Sequence, residues 1–148
     1  MKTLMLSAIA LLLLTSCATP RRFAVPKNQK PERITLTLTG YCDCEICCGW
    51  ERNWRFQPVY AYGPSKGKPK QVGITSSGTK ARKGTLAADT RLFPYGTLFH
   101  IPGYGWGRVE DIGGAIKGRH LDLYFDSHQE ALEWGREKKQ VLIWKTRR

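Results

Sequence analysis

Over residues 33–39 the chain alternates Ile34, Leu36 and Leu38 with Thr35, Thr37 and Thr39. This period of two sends one row of side chains into a core and leaves the other outside, so it predicts a half-buried strand. Shorter apolar runs at 97–101, 107–110, 121–125 and 141–144, parted by glycine- or proline-bearing turns, predict four more strands. One segment has a different rhythm. Ser127-His128-Gln129-Glu130 has the form of a capping box, Ala131, Leu132 and Trp134 fall on the following turn, and Gly135 is placed to stop it. That predicts a single short helix. The expected fold class is all-β, mainly strands with one short helix.

The beginning of the chain follows neither period. Lys2 precedes an apolar run that ends at Leu14 and is followed by Thr15-Ser16-Cys17. The run is shorter than the roughly 20 residues a spanning helix needs. It has the form of a lipoprotein signal peptide, residues 1–16, whose removal leaves Cys17 to carry lipid. Residues 17–32 contain Pro20, Pro26 and Pro31, are basic and show no apolar period, and so read as a flexible linker between the lipid and a domain at 33–148. The expected location is the bacterial cell envelope outside the cytoplasm, on the periplasmic face of the outer membrane where there is one.

Charge narrows the partners. The chain has 24 Lys and Arg against 12 Asp and Glu, a formal net charge of +12, which suits an anionic partner. Outside the cytoplasm the candidates are cell-wall glycan, teichoic polymers and lipid headgroups. Nucleic acid is excluded on the compartment and on the lack of a helix-turn-helix or RNA-reading motif.

With Cys17 assigned to lipid, Cys42, Cys44, Cys47 and Cys48 remain, packed into seven residues. An even number in an oxidising compartment favours disulfides, with three connectivities open. Zinc held by all four thiolates is the alternative, but it would strain a tetrahedron fed by one short loop, so the disulfide-stapled loop is preferred and no metal ligand is assigned. Cys44-x-x-Cys47 lacks the βαβ surroundings of a thioredoxin-like motif.

Candidate chemistry lies with three aspartates. Asp89 and Asp111 stand beside good turn positions, Thr90 and Gly113-Gly114, whereas Asp122 sits between Leu121 and Leu123 with no turn former nearby. Carboxylates gathered in a partly dry cleft cannot all ionise comfortably, and one kept protonated can serve as a general acid. Thr75 and Ser77 supply hydroxyls for a sugar groove, and Tyr104 and Trp106 offer rings that either stack on sugars or pack on the domain. Lys117, between Asp111 and Asp122 in sequence, is placed to hold one of them ionised. His100, His120 and His128 lack ligand spacing and read as surface or packing residues.

The motifs Ala87-Ala88-Asp89, Pro94-x-Gly96-Thr97, Ile101-Pro102-Gly103-Tyr104-Gly105, Glu110-Asp111-x-Gly113-Gly114 and Asp122-Leu123-Tyr124-Phe125 occur in this order. Together they resemble the three-aspartate (3D) domain, a family similar to the catalytic barrel of membrane-bound lytic transglycosylases. The resemblance implies a six-stranded double-psi β-barrel that cleaves the bond between N-acetylmuramic acid and N-acetylglucosamine in peptidoglycan and leaves a 1,6-anhydro end. It implies that Asp122 is the acid and base, that Asp111 and Asp89 tune it or position the sugar, and that no cofactor is needed. The alternative of the same fold is a barrel that binds peptidoglycan without cutting it. One departure is visible: Ile112 stands where the family usually has Thr, so a hydroxyl beside Asp111 is missing.

Overall fold

The computed structural model describes residues 21–146. The signal peptide, Cys17 and the linker as far as residue 20 lie outside the described residues. Six strands close into a barrel: β1 (Glu32–Tyr41), β4 (Thr85–Ala88), β5 (Leu98–Ile101), β6 (Gly105–Asp111), β7 (His120–Tyr124) and β8 (Glu137–Trp144), in the order β1-β7-β4-β6-β5-β8. The β1–β7 and β4–β6 pairs are parallel and the others antiparallel, a mixed closed barrel consistent with the double-psi topology. A separate hairpin, β2 (Trp50–Arg52) and β3 (Pro58–Tyr60), stands beside it. Among the described residues there are two α-helices rather than one: α1 (Glu45–Cys48), a single turn in the cysteine cluster, and α2 (His128–Trp134). No helix among the described residues is long and apolar enough to cross a membrane.

The alternation in β1 and β7 builds the core. Leu36, Leu38, Leu121 and Leu123 point into the barrel and meet Leu86, Phe99, Ile101, Val109, Val141 and Ile143, all nearly or wholly excluded from solvent. Burying each of these side chains contributes about 1.5–3 kcal/mol. The intervening residues of the same strands, Thr39, Tyr41, Asp122 and Tyr124, point outward.

Helix α2 starts where the capping box places it: the Ser127 side chain accepts from the Glu130 N–H at 3.2 Å. It packs on β1 at Gly40, where a Cβ would lie 2.9 Å from the Ala131 carbonyl oxygen. Close approach of helix to strand therefore requires glycine there.

The segment expected as a free linker is partly docked. Residues Arg21–Phe23 form a 3₁₀ turn, and the Arg22 guanidinium donates to both carboxylate oxygens of buried Glu110, to the Thr85 hydroxyl and to the Lys83 carbonyl. A buried carboxylate such as Glu110 costs free energy unless it is paired, and Arg22 is the residue that pairs it.

Candidate functional site

Strand register assembles the site. Across β1, β7, β4 and β6 the paired residues are Thr39, Asp122, Ala87 and Asp111 in one row: Thr39 opposite Asp122, Asp122 opposite Ala87, and Ala87 opposite Asp111. A bulge between Leu86 and Ala87 makes the last pairing, since Leu86 faces Val109 and Ala87 skips to Asp111. The extra residue, Glu110, is the one taken by Arg22 and Thr85. The small Ala87 side chain leaves space between the two carboxylates, and Asp122, Ala87 and Asp111 line a groove of about 750 Å³.

The two groove aspartates are held differently. Asp111 accepts from the Ser76 N–H at 2.9 Å, its neighbour Ile112 N–H at 2.9 Å and the Tyr41 hydroxyl at 3.1 Å. Three donors thus orient this carboxylate without the hydroxyl that Ile112 lacks. Asp122 accepts one such bond, from the Thr39 hydroxyl at 2.6 Å. Burial raises the Asp122 pKa above the ordinary carboxylate value, the Thr39 bond opposes this in part, and the charge of Asp111 adds to the rise. Thr39 in turn meets His120 Nε2 at 2.9 Å. With the threonine hydroxyl donating to Asp122, the imidazole N–H donates to Thr39, giving a relay His120–Thr39–Asp122. Burial and nearby Arg136 push the His120 pKa down, so the neutral ring is favoured. The Tyr41 hydroxyl stays protonated, because burial and then the Asp111 carboxylate hold its pKa far above the usual phenol value.

Asp89 does not line the groove. Its carboxylate accepts two bonds from the Arg91 guanidinium, at 2.9 and 2.8 Å, and one from the Gly118 N–H at 3.1 Å. The Arg91 bonds, followed by Gly118, hold it well below the usual carboxylate range. It is a turn brace and stays ionised.

Of the expected sugar contacts, Thr75 is on the groove, buried, and bonded to the Ser77 and Thr79 hydroxyls at 3.1 and 2.9 Å. Ser77 stands behind it, and Ser76 is the serine on the groove wall. Tyr104 belongs to the core: its hydroxyl donates to the Tyr124 carbonyl at 2.7 Å and accepts from the Gly84 N–H at 2.9 Å. Trp106 packs on Trp144 with ring centroids 4.9 Å apart, and Lys117 is exposed away from the groove. For both rings the packing alternative is the one found.

The rings that do face the groove are Tyr41, Tyr60, Tyr62 and Tyr124. Tyr60 and Tyr62 come from β3 and the turn after it, and Lys70 sits 4.3 Å over the Tyr60 ring. Gly49, at φ 58°, ends α1 in a left-handed conformation and leaves room for the Tyr62 hydroxyl against its backbone. Sequence reasoning missed Tyr60 and Tyr62 because β3 and the turn after it are too short to show a period.

The four cysteines are free thiols, so the expected disulfides are not what the structure holds. Cys48 lines the groove, its thiol donating to the Cys42 carbonyl at 3.1 Å, and burial pushes its pKa up to about 11.

Comparison with known proteins adds the following. Residues 84–146 match the sequence model of the 3D domain. YabE of Bacillus subtilis strain 168, named for cell wall shaping, is 31% identical over 121 residues, 79% of this chain and 30% of its own length. YocH of the same strain, named a cell wall-binding protein, is 34% identical over 75 residues, 48% of this chain and 26% of its own length. The chain thus spans less than a third of either relative. Among solved structures, the lytic transglycosylase MltA of E. coli aligns with a TM-score of 0.41 and 25% identity, over 54% of this chain and 30% of that one. Strand β1 and the groove wall from Tyr41 to Ala81 lie outside the 3D match.

Proposed function

Because the chain carries a 3D domain over residues 84–146, we propose that it acts on the glycan of the bacterial cell wall as a lytic transglycosylase, with Asp122 as general acid and then base. The observation that carries this reading is the groove row in which Asp122 lies across Ala87 from Asp111 and is kept partly dry, bonded by the Thr39 hydroxyl. A carboxyl in that setting retains its proton at pH values where ordinary carboxylates have lost it.

In the first step the Asp122 proton passes to the glycosidic oxygen as the bond from muramyl C1 to that oxygen breaks. The C6 hydroxyl of the same sugar then bonds to C1 and its proton returns to the Asp122 carboxylate, so no water is consumed. In this reading Asp111, oriented by Tyr41, Ser76 and Ile112, supplies the negative charge that stabilises the developing cation at C1. Thr39 and His120 are positioning residues that fix one Asp122 oxygen and leave the other for the substrate. Tyr60 and Tyr62 offer ring faces for sugars, and Lys70 matches the anionic groups of the wall. Lipid on Cys17 would hold this barrel at the membrane, facing the wall. The names of YabE and YocH, both tied to the cell wall, support the substrate class.

The second reading is a barrel that binds the wall without cutting it, favoured by the exposed groove tyrosine Tyr62. Mass spectrometry of the soluble products released from purified peptidoglycan separates the two. Anhydromuropeptides from the parent protein and none from Asp122→Asn support the transglycosylase. Reducing ends would assign a hydrolase, and co-sedimentation with the wall without release would assign the binding barrel.

A further inference from the structure

The sulfurs of Cys42, Cys44 and Cys47 and the Nδ1 of His128 lie within 4.8 Å of one another. The three sulfurs stand 4.0, 3.5 and 3.3 Å from that single nitrogen, and the Cys42 and Cys47 sulfurs are 3.7 Å apart. One imidazole nitrogen has either one proton or one lone pair, so it cannot hydrogen-bond three thiols at once. A common centre accounts for the convergence. Around zinc, with Zn–S about 2.3 Å and Zn–N about 2.0–2.1 Å, tetrahedral edges come to about 3.8 Å between sulfurs and about 3.5 Å from sulfur to nitrogen. A disulfide between Cys42 and Cys47 would instead need the sulfurs at about 2.05 Å and would leave Cys44 and His128 unexplained.

We propose that Cys42, Cys44, Cys47 and His128 form a closed Cys₃His zinc site. The crowding that argues against four cysteine ligands in seven residues does not arise, because the fourth ligand comes from the first turn of α2 and Cys48 is turned into the groove. The backbone supports the assignment. Cys44 caps α1, and the Cys47 N–H donates to its sulfur at 3.4 Å, an outer contact that favours a thiolate ligand. On binding, three thiols give up three protons and Zn²⁺ takes three thiolates and one neutral imidazole, leaving a complex of charge −1. Four protein ligands leave no open position, so the site is structural and takes no part in bond breaking. Its effect is to clamp the exit of β1 to the start of α2, and so to hold the segment 41–48, from which Tyr41, Asp43, Cys47 and Cys48 face the groove. This inference is independent of the glycan-cleaving reading.

The test is the metal content of the purified protein by inductively coupled plasma mass spectrometry, followed by cobalt(II) titration of the metal-free protein. One zinc per chain is expected, and cobalt should give the intense visible bands of a tetrahedral ion with thiolate charge transfer, saturating at one equivalent and displaced by zinc. Cys44→Ser and His128→Asn should bring zinc well below stoichiometric, whereas Cys48→Ser should retain it. Where a ligand variant fails to fold, the cobalt spectrum of the parent decides: weak octahedral bands or none overturn the site. A metal-free parent whose intact mass is lower by two hydrogens would show a disulfide in its place, and full zinc retention by His128→Asn would remove the histidine from the proposal.

Discussion

Leu121 and Leu123 on one face of β7 and Asp122 on the other are neighbours in sequence but occupy opposite environments. The leucines are fully enclosed by apolar side chains and interact by close packing alone. Asp122 faces a groove floored by Tyr41, Ala87 and Tyr124 and walled by hydroxyls and a second carboxylate. Within one strand, odd positions maintain the barrel and the even position faces the groove of the proposed chemistry. The difference between the faces explains how a charged residue can interrupt an apolar run without weakening the core.

Substitutions on the two faces should therefore have opposite signatures. The largest effect is expected at Asp122→Asn, which should lower the rate of glycan release by about 10²–10⁴-fold without lowering the melting temperature. The parent's release rate should fall as pH rises through the raised Asp122 value, because the acid form is then lost. Since ionisation costs more in the folded groove than in the unfolded chain, the parent also loses stability as pH rises above about 4. The Asn variant escapes that loss, so its melting-temperature advantage should widen toward neutral pH; a constant or shrinking gap would contradict the burial argument. On the inner face, Leu121→Ala should cost about 2–5 kcal/mol of stability while release per folded molecule holds at temperatures well below melting. Urea unfolding beside the release assay reads both.

Smaller effects sharpen the contrast within the outer face. Tyr41→Phe removes one of three donors to Asp111, worth about 0.5–1.5 kcal/mol, and should slow release by about 2- to 10-fold with a pH profile of unchanged shape. The smallest effect belongs to Asp89→Asn. The Asp89 pKa is depressed in the folded state, so its contribution is present above about 4 and is lost as pH falls below that value. The variant should melt slightly below the parent at neutral pH, converge with it in acid and cut glycan normally. Loss of cutting would place Asp89 in the machinery after all.

What was legible in the sequence follows the same division. Strand β1 and helix α2 were readable because alternation and a capping box are local signals, and the position of Asp122 was readable as a charge out of place between leucines. The partners were not. Thr39 reaches Asp122 only through the parallel register of β1 on β7, and Asp111 comes level with Ala87 only through a bulge. His128 joins the cysteines across more than eighty residues of chain, and no spacing rule spans that interval. Tyr104 and Trp106, flanked by glycines, had the composition of a binding loop, yet the Tyr104 ring packs on Phe125 and Trp134 and the Trp106 ring on Trp144. Local composition cannot tell a stacking platform from a packed turn.

The row Thr39, Asp122, Ala87, Asp111 also limits how this groove can change. Adjacent strands lie about 4.8 Å apart, so the backbone separation of the two carboxylates comes in whole strand steps and cannot drift by fractions of an ångström. A slip of one residue in β7 would send Asp122 into the barrel and bring a leucine to the surface. Inheritance of this site is therefore discontinuous: a descendant keeps the pairing intact or loses both aspartates' relation at a stroke, while the loops around them remain free to vary.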